Sequence, residues 1–125
     1  MLRAQSNVPK YSNEFMAIGV SGRALAMSNA FTSVSDDVTS GYWNPAGLVN
    51  LKHDYEGSLM HSQYFAGIAN YDYAGFATRL DSKSVIGISI IRFAVDDIPD
   101  TRFLYDANGA LNYDNIRFFS AADYA

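Results

Sequence analysis

Two pairs of adjacent aspartates are the residues of this chain whose types most plainly suggest catalysis or metal binding. Asp36-Asp37 precede residues 38–43, a segment predicted to make about two helical turns. Neighbouring residues of a helix do not face each other, so the pair is poorly arranged for a shared catalytic or metal site. A helix N-terminus favours acceptors and negative charge, and we therefore interpret Asp36 and Asp37 as helix-capping residues.

The second acidic group lies in a polar segment that also contains Pro99. Asp96-Asp97, Asp100 and Asp106 offer oxygen ligands for Ca²⁺, but their spacing does not match an EF-hand loop, whose glycine is also missing. We interpret 96–109 as a solvated extracellular loop.

Other catalytic or metal-binding patterns are incomplete. His53 and His61 have no evident third partner, whereas zinc needs three or four ligands. Gly19-Val20-Ser21-Gly22 lacks the second spacing of a nucleophile elbow, and no phosphate-binding glycine loop occurs. We expect no enzymatic activity, no metal and no cofactor.

Composition narrows the class of protein. The 125 residues suffice for one small domain, and 49% hydrophobic with 14% aromatic residues argue against disorder. A net charge of −4 gives no basic face for nucleic acid, so we expect no nucleic-acid partner. There is no cysteine, which excludes disulfides and thiolate metal sites.

The densest turn signal is Gly41-Tyr42-Trp43-Asn44-Pro45-Ala46-Gly47-Leu48, which contains the only tryptophan. Asn44 is a favoured N-cap and is held extended by the proline that follows it, and Pro45 suits the first helical position. We predict a short helical turn over 45–50. Trp43, Asn44, Pro45, Ala46 and Gly47 form the candidate site, with a simple capped turn as the plainer interpretation.

The motif separates two kinds of chain. Residues 1–14 are polar and predicted to be irregular; Ala4-Gln5 resembles the tail of a signal-cleavage region, although no apolar signal core is visible. Residues 15–52 are rich in small side chains up to Ala30, typical either of a lumen-filling plug or of a packed helix. Residues 53–125 follow the period of β-strands.

Three strands are predicted over 56–64, 70–80 and 85–95, with a fourth starting near 120. The polar cluster 81–84 joins the second and third strands as a hairpin. In the third, Ile86, Ile88 and Ile90 share one face, and Gly87 and Ser89 share the other. That pattern suits a lipid-facing strand, and equally a soluble sheet whose isoleucine face covers a core.

Three segments of the chain together form a recognisable signature: Gly19–Phe31, Val34–Asp37 and Tyr42–Leu48. This signature resembles the N-terminal signature of the PorV/PorQ proteins, which are Bacteroidetes relatives of the FadL outer-membrane barrels. The likeness covers roughly residues 14–125. Two departures stand out: Ser28-Asn29 occupy positions where the family usually has two glycines, and the chain is shorter than the family's usual length.

The resemblance implies an all-β fold: the N-terminal part of an antiparallel transmembrane β-barrel, about fourteen strands when complete, with a plug of short helical turns in its lumen. About eight strands are the minimum for closure, so this interpretation makes the chain an N-terminal fragment. Residues 15–52 would be the plug or hatch, and 53–125 the first strands.

The implied location is the outer membrane, with its lipid as a partner. A PorV/PorQ-like protein would bind and shuttle cargo with secretion-system proteins in type IX secretion or surface attachment. A FadL-like channel for hydrophobic molecules such as long-chain fatty acids is the alternative. A soluble β-rich binding module that shares only the motif is a third hypothesis.

Overall fold

The computed structural model describes residues 13–105 and 109–125. The predicted irregular segment 1–14 lies almost wholly outside these residues, and so does Asp106. The first elements are short: a 3-10 turn at Glu14–Ala17, helix α1 at Gly22–Ala26, helix α2 at Ser40–Trp43, and a 3-10 helix at Pro45–Asn50.

Four strands follow and form an antiparallel sheet in sequential order. They are β1 (Tyr55–Tyr64), β2 (Ala69–Arg79), β3 (Val85–Asp100) and β4 (Arg117–Tyr124), with a 3-10 turn at Tyr113–Asn115 before β4. This confirms the predicted all-β class at the level of an antiparallel sheet. Among the described residues β1 and β4 each have one neighbouring strand.

The predicted β2–β3 hairpin is present, and its turn is built by one side chain. Asp81 Oδ1 accepts hydrogen bonds from the backbone N–H of Lys83 at 2.7 Å and of Ser84 at 2.9 Å. Such a local side-chain bond fixes a turn without glycine. The β1–β2 connection takes the other route, with positive φ at Phe65, Ala66 and Gly67.

The two faces of the sheet differ in what covers them. In β1 and β2 the burial alternates residue by residue, and the covered face of β2 carries Tyr71, Tyr73 and Ala77. The N-terminal segment 14–51 packs on this face: Phe15 stacks on Phe93, with ring centroids 6.3 Å apart. We call it the covered face, and the opposite one the outward face.

Two side chains connect the C-terminal end of the segment to the sheet. Leu48 reaches the covered face beside Gly87, where its Cδ1 would lie 3.2 Å from an added Cβ. Arg79 donates from a guanidinium nitrogen to the Leu51 carbonyl at 2.6 Å. Together with the stacking of Phe15 on Phe93, these contacts hold the segment at both ends against one sheet face.

The isoleucine face of β3 is the outward face. Ile86, Ile88 and Ile90 are all more than half exposed, whereas Ile91 is buried under the N-terminal segment. The expectation of a soluble sheet with these isoleucines on its own core is therefore wrong for the described fold, because the core lies on the other side.

Two predicted boundaries are also wrong. β3 continues to Asp100, into the segment predicted as a loop, because a bulge between Val95 and Ile98 with positive φ at Asp97 lets pairing with β4 resume. Helix α2 covers only Ser40–Trp43, not the predicted 38–43, because Thr39 and Asp37 form a side-chain-bonded turn ahead of it.

No helix among the described residues is long and apolar enough to cross a membrane.

Candidate functional site

The turn motif lies where the N-terminal segment meets the sheet. The 3-10 helix Pro45–Asn50 has the predicted bounds and Pro45 at its start, and Asn44 is extended with φ −160°. The Asn44 side chain does not cap this helix; its Nδ2 donates to the Thr32 carbonyl at 3.2 Å instead. Asn44 therefore joins two turns of the segment. Pro45 and Ala46 are exposed.

Gly47 is the most tightly enclosed residue of the motif. A Cβ added there would lie 2.6 Å from the Ser35 carbonyl oxygen, 2.8 Å from Ser35 Oγ and 3.1 Å from Ser40 Oγ. Contacts under 3.0 Å with backbone leave no room for a side chain. The glycine therefore permits close approach of two turns, which is a packing requirement.

Trp43 connects the turn motif to the beginning of the N-terminal segment. Its Nε1 donates to the carbonyl of the buried Val20 at 2.9 Å, and its ring meets Phe31 and Tyr42 edge to face. Tyr42 donates its hydroxyl to the Met16 carbonyl. The two aromatic residues thus satisfy backbone acceptors of the first turns while filling the space between segment and sheet.

Of the two predicted capping residues, Asp37 lies closer to that role. Its Oδ1 accepts from the Thr39 backbone N–H at 2.9 Å and from the Thr39 hydroxyl at 2.5 Å, just ahead of α2. Thr39 itself occupies the N-cap position and makes no side-chain capping bond.

Asp36 has a different role from the one predicted. Its carboxylate lies 2.9 Å from Arg23 Nη1 and 3.0 Å from Lys52 Nζ. These two cations, Lys52 first, lower the pKa of Asp36 below its ordinary value of 3.8. Arg23 also stacks over the Phe31 ring at 4.9 Å. Asp36 therefore links α1 to the end of the segment.

The outward face carries a second arrangement, which the sequence analysis did not identify. His61, Asp72 and Arg92 are direct partners across β1, β2 and β3. His61 Nδ1 lies 2.6 Å from Asp72 Oδ1, and Arg92 Nη1 lies 3.0 Å from Asp72 Oδ2. Tyr124 of β4 stands opposite Arg92. We call these four residues the polar row.

The polar row was not found because its members are far apart in sequence and only strand register makes them neighbours. One signal was available in the sequence. Period-two spacing places each residue of the row on the same face of its strand as the outward apolar residues, as Arg92 follows Ile86, Ile88 and Ile90. The row contains only two side chains of the types that usually bind metals, and the described residues contain no group of three or more His, Cys, Asp or Glu that could hold a metal ion. His53 lies outside the row, before β1.

No protein-family model matches the chain, and no curated protein or solved structure matches it either. The resemblance to the PorV/PorQ proteins therefore stays a prediction that depends on the motif residues.

Proposed function

We propose that this protein is an outer-membrane β-barrel protein of the PorV/PorQ type. In this proposal it binds cargo proteins and passes them on during type IX secretion or surface attachment. Residues 15–52 act as the luminal plug, and the four strands belong to the barrel wall. The surrounding lipid and secretion-system or cargo proteins are its partners.

The observation that carries the proposal is the opposite character of the two sheet faces. The chain's own N-terminal segment packs on one face, while the other exposes Leu59, Phe76 and the isoleucines of β3. Contiguous apolar surface of this kind is rare on soluble monomers and is what lipid-facing strands require.

The open edges of the sheet are consistent with a larger wall. Backbone groups at a strand edge need partners, and a membrane offers none, so a spanning sheet has to close on itself. Closure takes at least about eight strands. The proposal therefore includes further strands, beyond the four described, that close the barrel.

The backbone at Ser28-Asn29, where the family usually has two glycines, gives separate support. Ser28 and Asn29 have φ of 52° and 66°, the left-handed region that glycine enters without cost. A glycine pair is what this turn would favour.

Membrane location is tested first. We expect the whole protein, as the producing cell makes it, to fractionate with the outer membrane and to resist extraction by sodium carbonate. It should also run faster on a detergent gel before boiling than after it, as folded barrels do. Recovery of folded monomer from detergent-free buffer would contradict the membrane proposal.

The activity is tested with two probes on the same detergent-purified protein. A purified cargo protein of a type IX system should bind in a titration followed by fluorescence anisotropy, and radiolabelled oleate should not. Saturable oleate binding without cargo binding would favour the alternative, a FadL-like channel. Binding of neither probe would contradict both activities while leaving the membrane location intact.

A further inference from the structure

The outward face changes character abruptly along the strands. Direct partners across β1, β2 and β3 form successive levels of this face. The three levels nearest the Asp81–Ser84 turn are mainly apolar: Tyr55, Thr78 and Ile86; then Gly57, Phe76 and Ile88; then Leu59, Ala74 and Ile90.

The next level along the strands is the polar row, about 7 Å further on. Beyond it stand Gln63 and Asn70, whose side chains lie 3.4 Å apart, and Asn70 donates to Asp96 at 3.3 Å. On β1 and β2 apolar side chains therefore give way to hydrogen-bonding ones at the polar row, whereas β3 and β4 place Ala94 and Ala122 beyond it.

A shallow hollow lies on that boundary. Its outward lining is Leu59, Ala74 and Ile90 on the apolar side and His61, Asp72 and Arg92 on the polar side. The small side chain of Ala74 leaves the space between Leu59 and Ile90 open. A narrow hydrocarbon chain could lie over Ala74 while its polar end meets the row.

The hydrogen-bond donors of the row, rather than its net charge, favour a polar end that is rich in acceptor oxygens. Asp72 is the only acid of the row, and it is already engaged by both His61 and Arg92. Arg92 interacts with the Tyr124 side chain as well as with Asp72, and Asp96 lies close enough to act on its charge. The guanidinium has five N–H donors in all, so not all of them are used, and the His61 side chain is 59% exposed. The donors that remain match the oxygens of a phosphate.

We propose that the polar row marks the boundary between hydrocarbon and head groups, and that the hollow binds an anionic phospholipid there. Arg92 and His61 contact its phosphate, and its acyl chain lies over Ala74. This inference rests on the proposed membrane location. It adds which face meets lipid, the level at which the hydrocarbon ends, and the side chains that select the head group.

The boundary can be measured because the chain has no cysteine of its own. Leu59→Cys, Gln63→Cys and the covered-face control Ser58→Cys each receive a nitroxide in the whole protein, reconstituted into phosphatidylcholine vesicles. We expect oxygen to relax the label at Leu59 and a water-soluble nickel chelate to relax the label at Gln63. The label at Ser58 should not follow this depth series.

The outcomes separate the two proposals. If the protein does not enter vesicles, the membrane location fails and this inference fails with it. If the protein enters but Leu59 and Gln63 report equal depth, the boundary alone is overturned. Spin–spin broadening at Leu59 would reveal a second copy on this face and would also overturn the lipid assignment.

Head-group selection is tested with a bimane on Leu59→Cys, quenched by brominated phosphatidylglycerol or brominated phosphatidylcholine. We expect the anionic lipid to be preferred about fivefold, the usual effect of one cation at a membrane surface. Arg92→Gln should abolish the preference and Arg92→Lys should keep most of it. Lys83→Gln, which removes the same charge from the hairpin turn, should change it little.

An equal loss in Arg92→Gln and Lys83→Gln would mean a general effect of surface charge and would overturn the site. So would equal quenching by the two lipids in the unmodified protein. Folding of each variant is checked by the fluorescence of Trp43, the only tryptophan, which lies on the opposite side of the sheet.

Discussion

At the scale of single residues, two backbone positions of the N-terminal segment are decided by space and dihedral angle. Gly47 is enclosed by Ser35 and Ser40, whereas an added Cβ at Gly41 would meet nothing within 4 Å. Ser28 holds a left-handed conformation without a glycine's freedom. These positions predict opposite effects of adding and removing one side-chain carbon.

Gly47→Ala should destabilise the protein by about 1–3 kcal/mol, because the new methyl group forces Ser35 and Ser40 apart. Gly41→Ala is the matched control; it lies in helix α2 with open space around it and should be neutral or stabilising by about 0.5–1 kcal/mol. Denaturant unfolding followed by Trp43 fluorescence measures both. Equal stability of the two variants would contradict the enclosed position of Gly47.

Ser28→Gly should stabilise the protein by up to about 1 kcal/mol, because it removes the cost of a left-handed non-glycine residue. Ser33→Gly is the control: Ser33 is also exposed and has no positive φ, so its replacement should be neutral or destabilising. Thermal unfolding of both variants tests this, and a loss of stability in Ser28→Gly would count against the left-handed turn.

At the scale of elements, ion pairs and hydrogen bonds from aromatic side chains stabilise short helices that would not form in isolation. Helix α1 has five residues and α2 has four, well below the length at which isolated helices form in water. Asp36 connects α1 to Lys52, and Trp43 connects α2 to Val20. These contacts connect the parts of the N-terminal segment to one another, so the segment packs on the sheet as a single unit.

The Asp36 links predict a defined pH dependence. Because Lys52 and Arg23 lower the pKa of Asp36 below 3.8, the contribution of Asp36 to stability is present above that value and is lost as pH falls through the lowered pKa. Asp36→Asn should therefore be less stable than wild type at pH 7, with the difference vanishing at the acidic end. Unfolding midpoints between pH 7 and pH 2.5 measure this.

Salt provides the control for this prediction. All three side chains of the cluster are partly exposed, so 1 M sodium chloride should shrink the difference between Asp36→Asn and wild type at pH 7. A difference that persists unchanged at low pH would instead assign Asp36 a role independent of its charge.

Trp43→Phe should cost about 1–3 kcal/mol, because it keeps an aromatic side chain, although a smaller one, and leaves the buried Val20 carbonyl without its donor. Tyr113→Phe is the control, since Tyr113 is 69% exposed. Circular dichroism during chemical unfolding follows both variants. A cost no larger than that of Tyr113→Phe would show that the indole N–H bond contributes little.

At the scale of the whole molecule, the two faces of the sheet predict different tolerance to charge. Ile88 lies on the outward face and Ser89 on the opposite side of the same strand, and both are exposed in the described structure. On the membrane proposal Ile88→Arg should lower the stability of the inserted protein by about 2–4 kcal/mol, and Ser89→Arg should cost less because it avoids lipid.

Reversible unfolding in phospholipid vesicles measures the two arginine variants. The opposite order, with Ile88→Arg harmless and more soluble in buffer, would argue that water or another protein meets the outward face.

The sequence predicted local structure well where a single side chain decides it. Pro45 and the turn residues set the 45–50 helix with its observed bounds, and Asp81–Ser84 set the hairpin. The end of β3 was missed because the Asp-rich segment favours a loop locally, whereas pairing with β4 makes a strand of it. The role of Asp36 was missed because Arg23 and Lys52 approach it only in the folded chain.

By itself, the sequence determined the existence of the strands and the position of the 45–50 and 81–84 turns, since alternation and turn chemistry act over a few residues. The tertiary structure alone decided which sheet face is covered. Both faces carry apolar side chains, so period-two alternation does not choose between them; the packing of 14–51 does. The register of the four strands also brings the residues of the polar row together, and this juxtaposition depends on pairing between strands that are distant in sequence.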